Sequence, residues 1–222
     1  MKRAAIIGIS GKVGLEIQAL AEEQGFEITS GVSRKNSFDS LMSEKTDVVI
    51  DFSMPELTKD VTAWCLAHQK PLVSGVTGLG TKEMDLLKRL SQSLPVFWAP
   101  NMSIGVAVLG RMLRQFSHLR NADFQIEEIH HNKKKDSPSG TALMLQEKLK
   151  ASVGKSIPEP IAIRGGGVFG IHRVFCLGEE ETITIEHLAM NRRVFAKGAL
   201  QAAKWVMNQP PGFYSMDELL GT

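Results

Sequence analysis

Two histidines and three lysines lie within six consecutive residues of this 222-residue chain, His130–Lys135. Crowded cationic groups repel one another, which lowers some of their pKa values and favours proton donors near neutral pH. A cationic strand end can also hold an anion and supply a proton to it. The alternative interpretation is an exposed basic loop before an ordinary helix.

A helix N-terminus is expected directly after this cluster. Asp136 or Ser137 can cap a helix that begins near Pro138. Backbone N–H groups at such a helix start form an anion site. The groups expected to face outwards are those of Ser139, Gly140 and Thr141. The cationic cluster and the helix N-terminus together could hold a substrate with two carboxylates.

A second candidate site lies near the N-terminus, where Gly8, Gly11 and Gly14 separate an apolar run from a helical segment. Glycines let the backbone approach a pyrophosphate closely, and the following helix presents N–H groups to its negative charge. Lys12 adds a positive side chain. The spacing is GxxGxxG, with Ser10 in the middle, whereas the commonest dinucleotide spacing is GxGxxG. We interpret this segment as a dinucleotide site; the alternative is a tight turn alone.

The choice of dinucleotide depends on the end of the second predicted strand. NAD sites usually carry an acid there to hold the ribose hydroxyls. This chain has Ser33, Arg34 and Lys35 instead, with no carboxylate at the strand tip. Arg34 and Lys35 could pair with a 2′-phosphate, or they could form a solvated basic turn. We predict that NADPH is preferred over NADH.

Predicted strands and helices alternate through residues 3–99. The strands are Arg3–Ile9, Glu27–Val32, Thr46–Phe52, Pro71–Ser74 and Pro95–Ala99. The helices are Leu15–Gln24, a segment from a capping box at Ser53–Glu56 to His68, and a segment that begins at Thr81. This order predicts an α/β fold, a Rossmann-type doubly wound parallel sheet with helices on both faces. Ligands of such sheets bind at the carboxyl ends of the strands.

The pattern changes after residue 102, where Ser103 can cap a long apolar helix. The further segments are helices Ile104–Leu119, 139–152 and Arg193–Met207, and strands Asp123–His131, Pro160–Arg164, His172–Leu177 and Glu181–His187. The strands predict an α+β region with an open mixed sheet that carries helix 139–152 on one face. A sheet with an exposed face and open edges needs a partner.

Composition and charge exclude several classes of protein. The formal net charge of +2 is too small for a chain whose main partner is a nucleic acid. Cys65 and Cys176 form no CxxC or Cys/His metal spacing, so no metal site is expected. No apolar run approaches the roughly 20 residues of a membrane helix, and the N-terminal run is too short for a secretory signal. We expect a cytoplasmic protein without a membrane partner.

The segment EIHHNKKKDSPSGTA, residues 128–142, resembles the pattern E-x-H-H-x-x-K-x-D-x-P-S-G-T-A of the 4-hydroxy-tetrahydrodipicolinate reductases. The likeness extends along nearly the whole chain. It includes the glycine segment at 8–14, Asp51–Ser53, Gly75–Thr77, Ala99–Met102 and Phe195–Ala199. The length of the matching string makes chance similarity a poor explanation.

The resemblance implies a role for each matching residue. His130 is the expected proton donor and acceptor, and Lys134 the proton donor. The substrate carboxylates are expected at His131, Ser139, Gly140 and Thr141. The expected cofactor contacts are Gly8, Ile9, Ser10, Gly11, Lys12, Val13, Ser33, Arg34, Gly75, Val76, Thr77, Ala99, Pro100, Asn101 and Met102.

The resemblance also implies a reaction and an organisation. NADPH or NADH reduces a cyclic dicarboxylate in lysine and diaminopimelate biosynthesis, with loss of water. Residues 1–102, with 196–222 returning, form the expected NAD(P)-binding domain. Residues 103–195 form the expected substrate-binding domain, whose open sheet assembles a homotetramer. Two features depart from the family: Ser33 replaces the usual acid, and the chain is short.

Three rival functions predict different features. Short-chain reductases and sugar-nucleotide epimerases need a Tyr-x-x-x-Lys pair, but the one tyrosine, Tyr214, is followed four residues later by Glu218. A non-catalytic NAD(P)-binding sensor gives no reason for the HHxxK and PSGT strings. A basic RNA-binding module would need aromatic residues among the lysines and a more basic chain.

Overall fold

The computed structural model describes residues 1–33, 35 and 37–221. The chain divides into two compact units, Met1–Ser103 with Arg192–Thr222, and Ile104–Asn191. Among the described residues, no helix is both long and apolar enough to cross a membrane.

The first unit is built on a sheet of six parallel strands. In chain order they are β1 (Lys2–Ile7), β2 (Phe26–Val32), β3 (Val48–Asp51), β4 (Leu72–Ser74), β5 (Pro95–Trp98) and β10 (Gly212–Tyr214). Their spatial order is β10-β5-β4-β3-β1-β2. Ile7 lies opposite Asp51, and Asp51 opposite Ser74, so the carboxyl ends of three central strands are level.

Helices cover both faces of this sheet, because alternate residues of a strand point to opposite sides. The helices are α1 (Lys12–Ala21), α2 (Thr58–His68), α3 (Thr81–Leu90), α6 (Arg193–Val206) and α7 (Met216–Leu219). α2 and α3 pack on one face, against buried side chains such as Ala5 and Ile7. α6 packs against α1 and against β3, β4 and β5. The predicted doubly wound parallel sheet is therefore confirmed.

One local prediction in this unit is wrong, and one strand was not predicted. Ser53 does not cap α2, because its N–H and hydroxyl both bond to Asp51 Oδ1, at 2.9 and 2.6 Å. A short 3-10 turn, Pro55–Leu57, precedes the helix instead. The strand β10 was missed, because its three residues gain a partner only by pairing with β5, far away in the sequence.

The second unit is an α+β arrangement with a four-stranded mixed sheet. Its elements are α4 (Ile104–Met112), β6 (Asp123–His130), α5 (Gly140–Val153), β7 (Ile161–Arg164), β8 (Ile171–Leu177) and β9 (Thr182–Leu188). The order is β7-β6-β8-β9, with only the β6–β7 pair parallel. The single helix expected to Leu119 ends at Met112 and continues as a 3-10 segment, Leu113–Leu119.

One face of this sheet is buried and the other is open within the chain. Leu145 and Leu149 of α5 form a core with Ile126 and Val174 of the sheet. The opposite face exposes apolar side chains of the outer strands. These are Ile161 and Ile163 of β7 and Leu188 of β9, which are 51%, 40% and 47% exposed. The predicted open mixed sheet with a helix on one face is confirmed.

Candidate active site

The candidate proton-transfer site is built on the last residues of β6. This strand alternates between buried and partly exposed positions, and Ile126, Glu128 and His130 occupy its buried face. Residues two apart on a strand point to the same side. The pattern therefore places a carboxylate and an imidazole side by side in an apolar core, where each needs a polar partner.

Glu128 is fully buried and collects four hydrogen bonds. Its Oε1 accepts from Ser139 N at 3.0 Å and from Arg164 Nη2 at 2.7 Å. Its Oε2 accepts from Arg164 Nη1 at 2.9 Å and from His130 Nδ1. Burial alone would raise the pKa of Glu128, but the bonds from Arg164, His130 and Ser139 bring it below its ordinary value. The carboxylate therefore stays ionised near neutral pH.

An ionised carboxylate can only accept hydrogen bonds, so His130 must carry a proton on Nδ1. This leaves Nε2 for a substrate. Burial lowers the pKa of His130, the bond to Glu128 opposes that effect, and the charges of Lys134 and Arg164 lower it further. The net shift is downwards. The predicted direction is confirmed, although burial outweighs the repulsion between cations.

A second histidine packs against the first. The rings of His130 and His172 meet edge to face, with centroids 5.1 Å apart. Burial, and then the nearby His130, lowers the pKa of His172 to about 3, so it is neutral at physiological pH. Its Nε2 lies 3.4 Å from Ser139 Oγ. A buried neutral imidazole in this position supports the ring of His130 and is a structural histidine.

Lys134 lies in the turn between β6 and α5. Its ammonium is 2.9 Å from Asp136 Oδ2, and its backbone N–H donates to His131 O. Burial raises the pKa of Asp136, but Lys134 and a backbone bond from Gly140 outweigh this and lower it. Asp136 thus accepts a hydrogen bond from the Gly140 N–H at the start of α5.

The start of α5 differs from the prediction. The N-cap is Ser139, whose Oγ accepts from Ala142 N at 3.2 Å, and not Asp136 or Ser137. The Ser139 N–H points inwards to Glu128, where an outward direction was expected. The buried carboxylate needs donors, and this demand sets the position of the helix start. Gly140 is exposed, and Thr141 is partly buried.

The predicted cofactor segments of the first unit meet at one edge of its sheet. Residues 8–13 follow β1, residues 75–77 follow β4, and residues 99–102 follow β5, all at carboxyl ends. Trp98 Nε1 donates to Val76 O at 3.1 Å and joins two of these segments. Ser33 follows β2 and accepts from Lys35 N through its hydroxyl. Arg34 lies outside the described residues.

The glycine segment fits a pyrophosphate. Gly8 has a φ of +83°, and a Cβ there would lie 2.6 Å from Phe52 O. A Cβ at Gly14 would lie 2.4 Å from Gly8 O. In the described part of the chain, no side chain caps the start of α1 at Gly11, and its first turn holds no acid. Backbone shape and helix polarity therefore both suit a phosphate group.

Sequence reasoning missed the roles of Glu128 and Arg164. Glu128 matched the family pattern but received no role. For Arg164 the resemblance implies a place beside the substrate pocket, and the alternative is a surface charge. Arg164 instead forms a bidentate pair with a fully buried carboxylate. The available signal was the alternation of β6, which places Glu128 on the apolar face beside Ile126. A carboxylate there requires a cation from another element.

Comparisons with known proteins agree with these sites. Residues 2–102 match the family model described as dihydrodipicolinate reductase, N-terminus, and residues 105–220 the model for its C-terminus. A 4-hydroxy-tetrahydrodipicolinate reductase of Bdellovibrio bacteriovorus is 47% identical, over 98% of this chain and 96% of that protein. The protein of that name from Nitratiruptor sp. is 40% identical, over 100% of both chains.

A solved structure gives the same fold. The dipicolinate-bound dihydrodipicolinate reductase from Paenisporosarcina sp. TG-14 superposes with a TM-score of 0.78, over 97% of both chains, at 22% identity. The family models and the relatives confirm the prediction of an NAD(P)H-dependent oxidoreductase. Both halves of the chain match in order, and the two relatives align over 96% and 100% of their length. This chain therefore belongs to the dihydrodipicolinate reductase family.

Proposed function

We propose that this chain reduces 4-hydroxy-tetrahydrodipicolinate in lysine biosynthesis, with His130 and Lys134 handling the proton. The relatives that carry this activity in their names support the reaction. The observation that carries the residue assignment is the buried Glu128–His130 pair beside the Lys134 ammonium. A cationic site of this kind suits a substrate that brings two carboxylates.

His130 and Lys134 have separate roles in the proposed reaction. NAD(P)H, when bound, supplies the hydride that reaches ring carbon 4 as water leaves. His130 accepts and returns a proton through Nε2, because Glu128 holds its Nδ1–H. Lys134 is the second proton donor, and its ion pair with Asp136 holds the ammonium in the β6–α5 turn. Burial of His130 keeps competing water away from the imidazole.

We assign the carboxylates of the substrate to His131, Gly140 and Thr141. Gly140 is exposed, and a Cβ there would meet no atom within 4 Å, so a substrate carboxylate can reach the Gly140 N–H and displace the exposed Asp136 from it. Among the described residues, His131 Nδ1 has no hydrogen-bond partner. Ser139 was also expected to bind substrate, but its N–H and hydroxyl bond within the protein. We assign Ser139 to holding the helix start.

The cofactor site lies at the carboxyl edge of the parallel sheet. The residues that would hold NAD(P)H are those of segments 8–13, 33–34, 75–77 and 99–102. The glycine segment and the uncapped start of α1 would hold the pyrophosphate. Arg34 and the exposed Lys35 would hold the 2′-phosphate, which favours NADPH over NADH.

We further propose a cytoplasmic homotetramer assembled through the open face of the β7-β6-β8-β9 sheet. Ile161, Ile163 and Leu188 on its outer strands are each more than a third exposed within one chain. A flat apolar sheet face of this kind favours a protein partner.

The test of this function is turnover with NADPH, followed by its absorbance, on substrate made in situ from pyruvate and aspartate semialdehyde. His130→Ala and Lys134→Ala should each lose about 100-fold or more in kcat. Lys133→Ala and Lys135→Ala are matched controls, because both side chains are exposed neighbours of Lys134. A folded wild type that binds NADPH without turnover would favour the sensor instead.

A further inference from the structure

We propose that Glu128 is the positioning residue of this reaction, because it fixes the tautomer of His130 and ties that imidazole to the start of α5. This inference rests on the proposed role of His130 as proton donor and acceptor. It gives a buried acid that touches neither substrate nor cofactor a defined part in proton transfer.

The first support is the direction of the hydrogen bond between the two residues. Glu128 is fully buried and held ionised by donors from Arg164 and Ser139. It can therefore only accept from His130 Nδ1. The neutral imidazole then keeps its hydrogen on Nδ1 and presents a lone pair on Nε2. The imidazolium form carries a second hydrogen on Nε2, which is the proton it can give away.

The second support is the glycine that lies beside Nε2. A Cβ at Gly170 would lie 2.9 Å from His130 Nε2 and 3.3 Å from its Cδ2. Any larger residue at 170 would press on the nitrogen that Glu128 leaves available. The ring cannot turn away without losing its bond to Glu128. A glycine at this point thus suits an imidazole that must receive a ligand at Nε2.

The third support is that one carboxylate joins three elements. His130 and Glu128 belong to β6, Arg164 to β7, and Ser139 to the start of α5. The Arg164 Nη2 also donates to Asp136 O at 2.6 Å, which fixes the turn that carries Lys134. These contacts therefore fix the positions of His130 and Lys134 relative to the backbone at Gly140.

The charges around His130 set the expected pH dependence. Glu128 on β6 is the anion, while Lys134 in the turn and Arg164 on β7 are cations. His172 on β8 is neutral and packs against the His130 ring. Ser139 at the start of α5 contributes an uncharged hydroxyl, which lies 3.4 Å from His172 Nε2. Removal of the Glu128 charge leaves the cations unopposed, so His130 binds its proton only at lower pH.

The experiment compares Glu128→Gln, Glu128→Asp and His130→Ala with the wild type, measuring kcat and KM across pH. A proton donor must be protonated, so kcat falls as pH rises through the pKa of His130. In Glu128→Gln the pH at which kcat falls should be lower by about one unit or more, and kcat near neutral pH should be about tenfold lower. KM should change less than about threefold. Glu128→Asp keeps the charge and should restore the wild-type pH profile in part.

The double variant Glu128→Gln/His130→Ala should be no slower than His130→Ala, because Glu128 acts through the imidazole. Full turnover by His130→Ala would sink the proposed role of His130 itself. A slow His130→Ala beside a Glu128→Gln with the wild-type pH profile would overturn the positioning role alone.

A second measurement needs neither turnover nor a stable variant at Glu128. Nitrogen-15 NMR of histidine-labelled wild type reports which ring nitrogen carries hydrogen, with His130→Gln used to assign the signal. The expected neutral form has hydrogen on Nδ1. A neutral His130 with hydrogen on Nε2 would overturn the inference whatever the kinetics show.

Discussion

Arg164 on β7 holds both carboxylate oxygens of Glu128 on β6, with its Nη2 2.7 Å and its Nη1 2.9 Å away. Removal of one partner from a buried ion pair leaves an uncompensated charge. We therefore expect Arg164→Met to lower the free energy of unfolding by about 3–5 kcal/mol. Urea denaturation near neutral pH measures this.

The control for this variant is Arg3→Met. Arg3 pairs with Asp47 at 2.6 Å, but both side chains are a third or more exposed. Such a surface pair contributes little to stability, because water screens both charges. Equal losses in the two variants would contradict the buried pair as a main source of stability.

The backbone at Gly8 gives a prediction about cofactor binding. Gly8→Ala introduces a Cβ 2.6 Å from Phe52 O at a φ of +83°, so the loop must shift. We expect a stability loss of about 1–2 kcal/mol from the left-handed backbone alone. NADPH binding should weaken by about tenfold or more, because the N–H groups leave the pyrophosphate. Fluorescence titration measures the Kd.

Gly25→Ala is the matched control. Gly25 has a similar φ of +74°, but a Cβ there would meet no atom within 4 Å. It should lose stability to a similar degree and keep its NADPH affinity. Loss of affinity in both variants would mean that the effect reflects backbone strain and not the lost phosphate contacts of the glycine segment.

Asp51 makes stability depend on pH. Burial, opposed by two hydrogen bonds from Ser53, raises the pKa of Asp51 to about 6, from 3.8 in an ordinary environment. The folded state then binds more protons than the unfolded state between these pH values, so Asp51 lowers stability as pH rises through them. Asp51→Asn should be more stable than the wild type above pH ~6, by about 2–3 kcal/mol.

The difference between Asp51→Asn and the wild type should vanish below pH ~3, where Asp51 is protonated in both the folded and the unfolded state. Urea denaturation across this range tests it, and subtraction cancels the carboxylates that the two proteins share. Asp85→Asn, at an exposed position of α3, should change little at any pH. A constant difference across the range would argue against a titrating Asp51.

The basic pair after β2 predicts the cofactor preference. The wild type should have a higher kcat/KM with NADPH than with NADH. Arg34→Ala/Lys35→Ala should lose about tenfold or more with NADPH and little with NADH, because only NADPH carries the 2′-phosphate. Lys88→Ala, in the last turn of α3, controls for general charge loss. Equal losses with both cofactors would contradict the assignment.

The open sheet face predicts the assembly. The wild type should have about four times the 24.4 kDa mass of one chain in light scattering after gel filtration. Ile163→Lys should dissociate it, because a charge at a buried apolar interface is costly. Leu66→Lys, an equally exposed apolar position on α2, should leave the mass unchanged. A monomeric wild type would refute the tetramer.

The sequence by itself determined the elements and their order. The apolar runs of β1, β3 and β4 and the helical segments between them predict a parallel sheet, since each signal is local. The glycine segment was placed correctly for the same reason. Local signals failed where a buried carboxylate competed for a polar group. Ser53 bonds to Asp51 and does not cap α2, although it has the right residue type for a cap.

Only the tertiary structure decided which polar groups share a site. Glu128 and Arg164 are 36 residues apart and meet because β6 pairs with β7 in a register that sets Glu128 beside Ala162. The Ser139 N–H turns inwards because that buried carboxylate needs donors. Sequence spacing records neither register nor desolvation. Both arise only when strands pair and water is excluded, and together they fix the proton on His130.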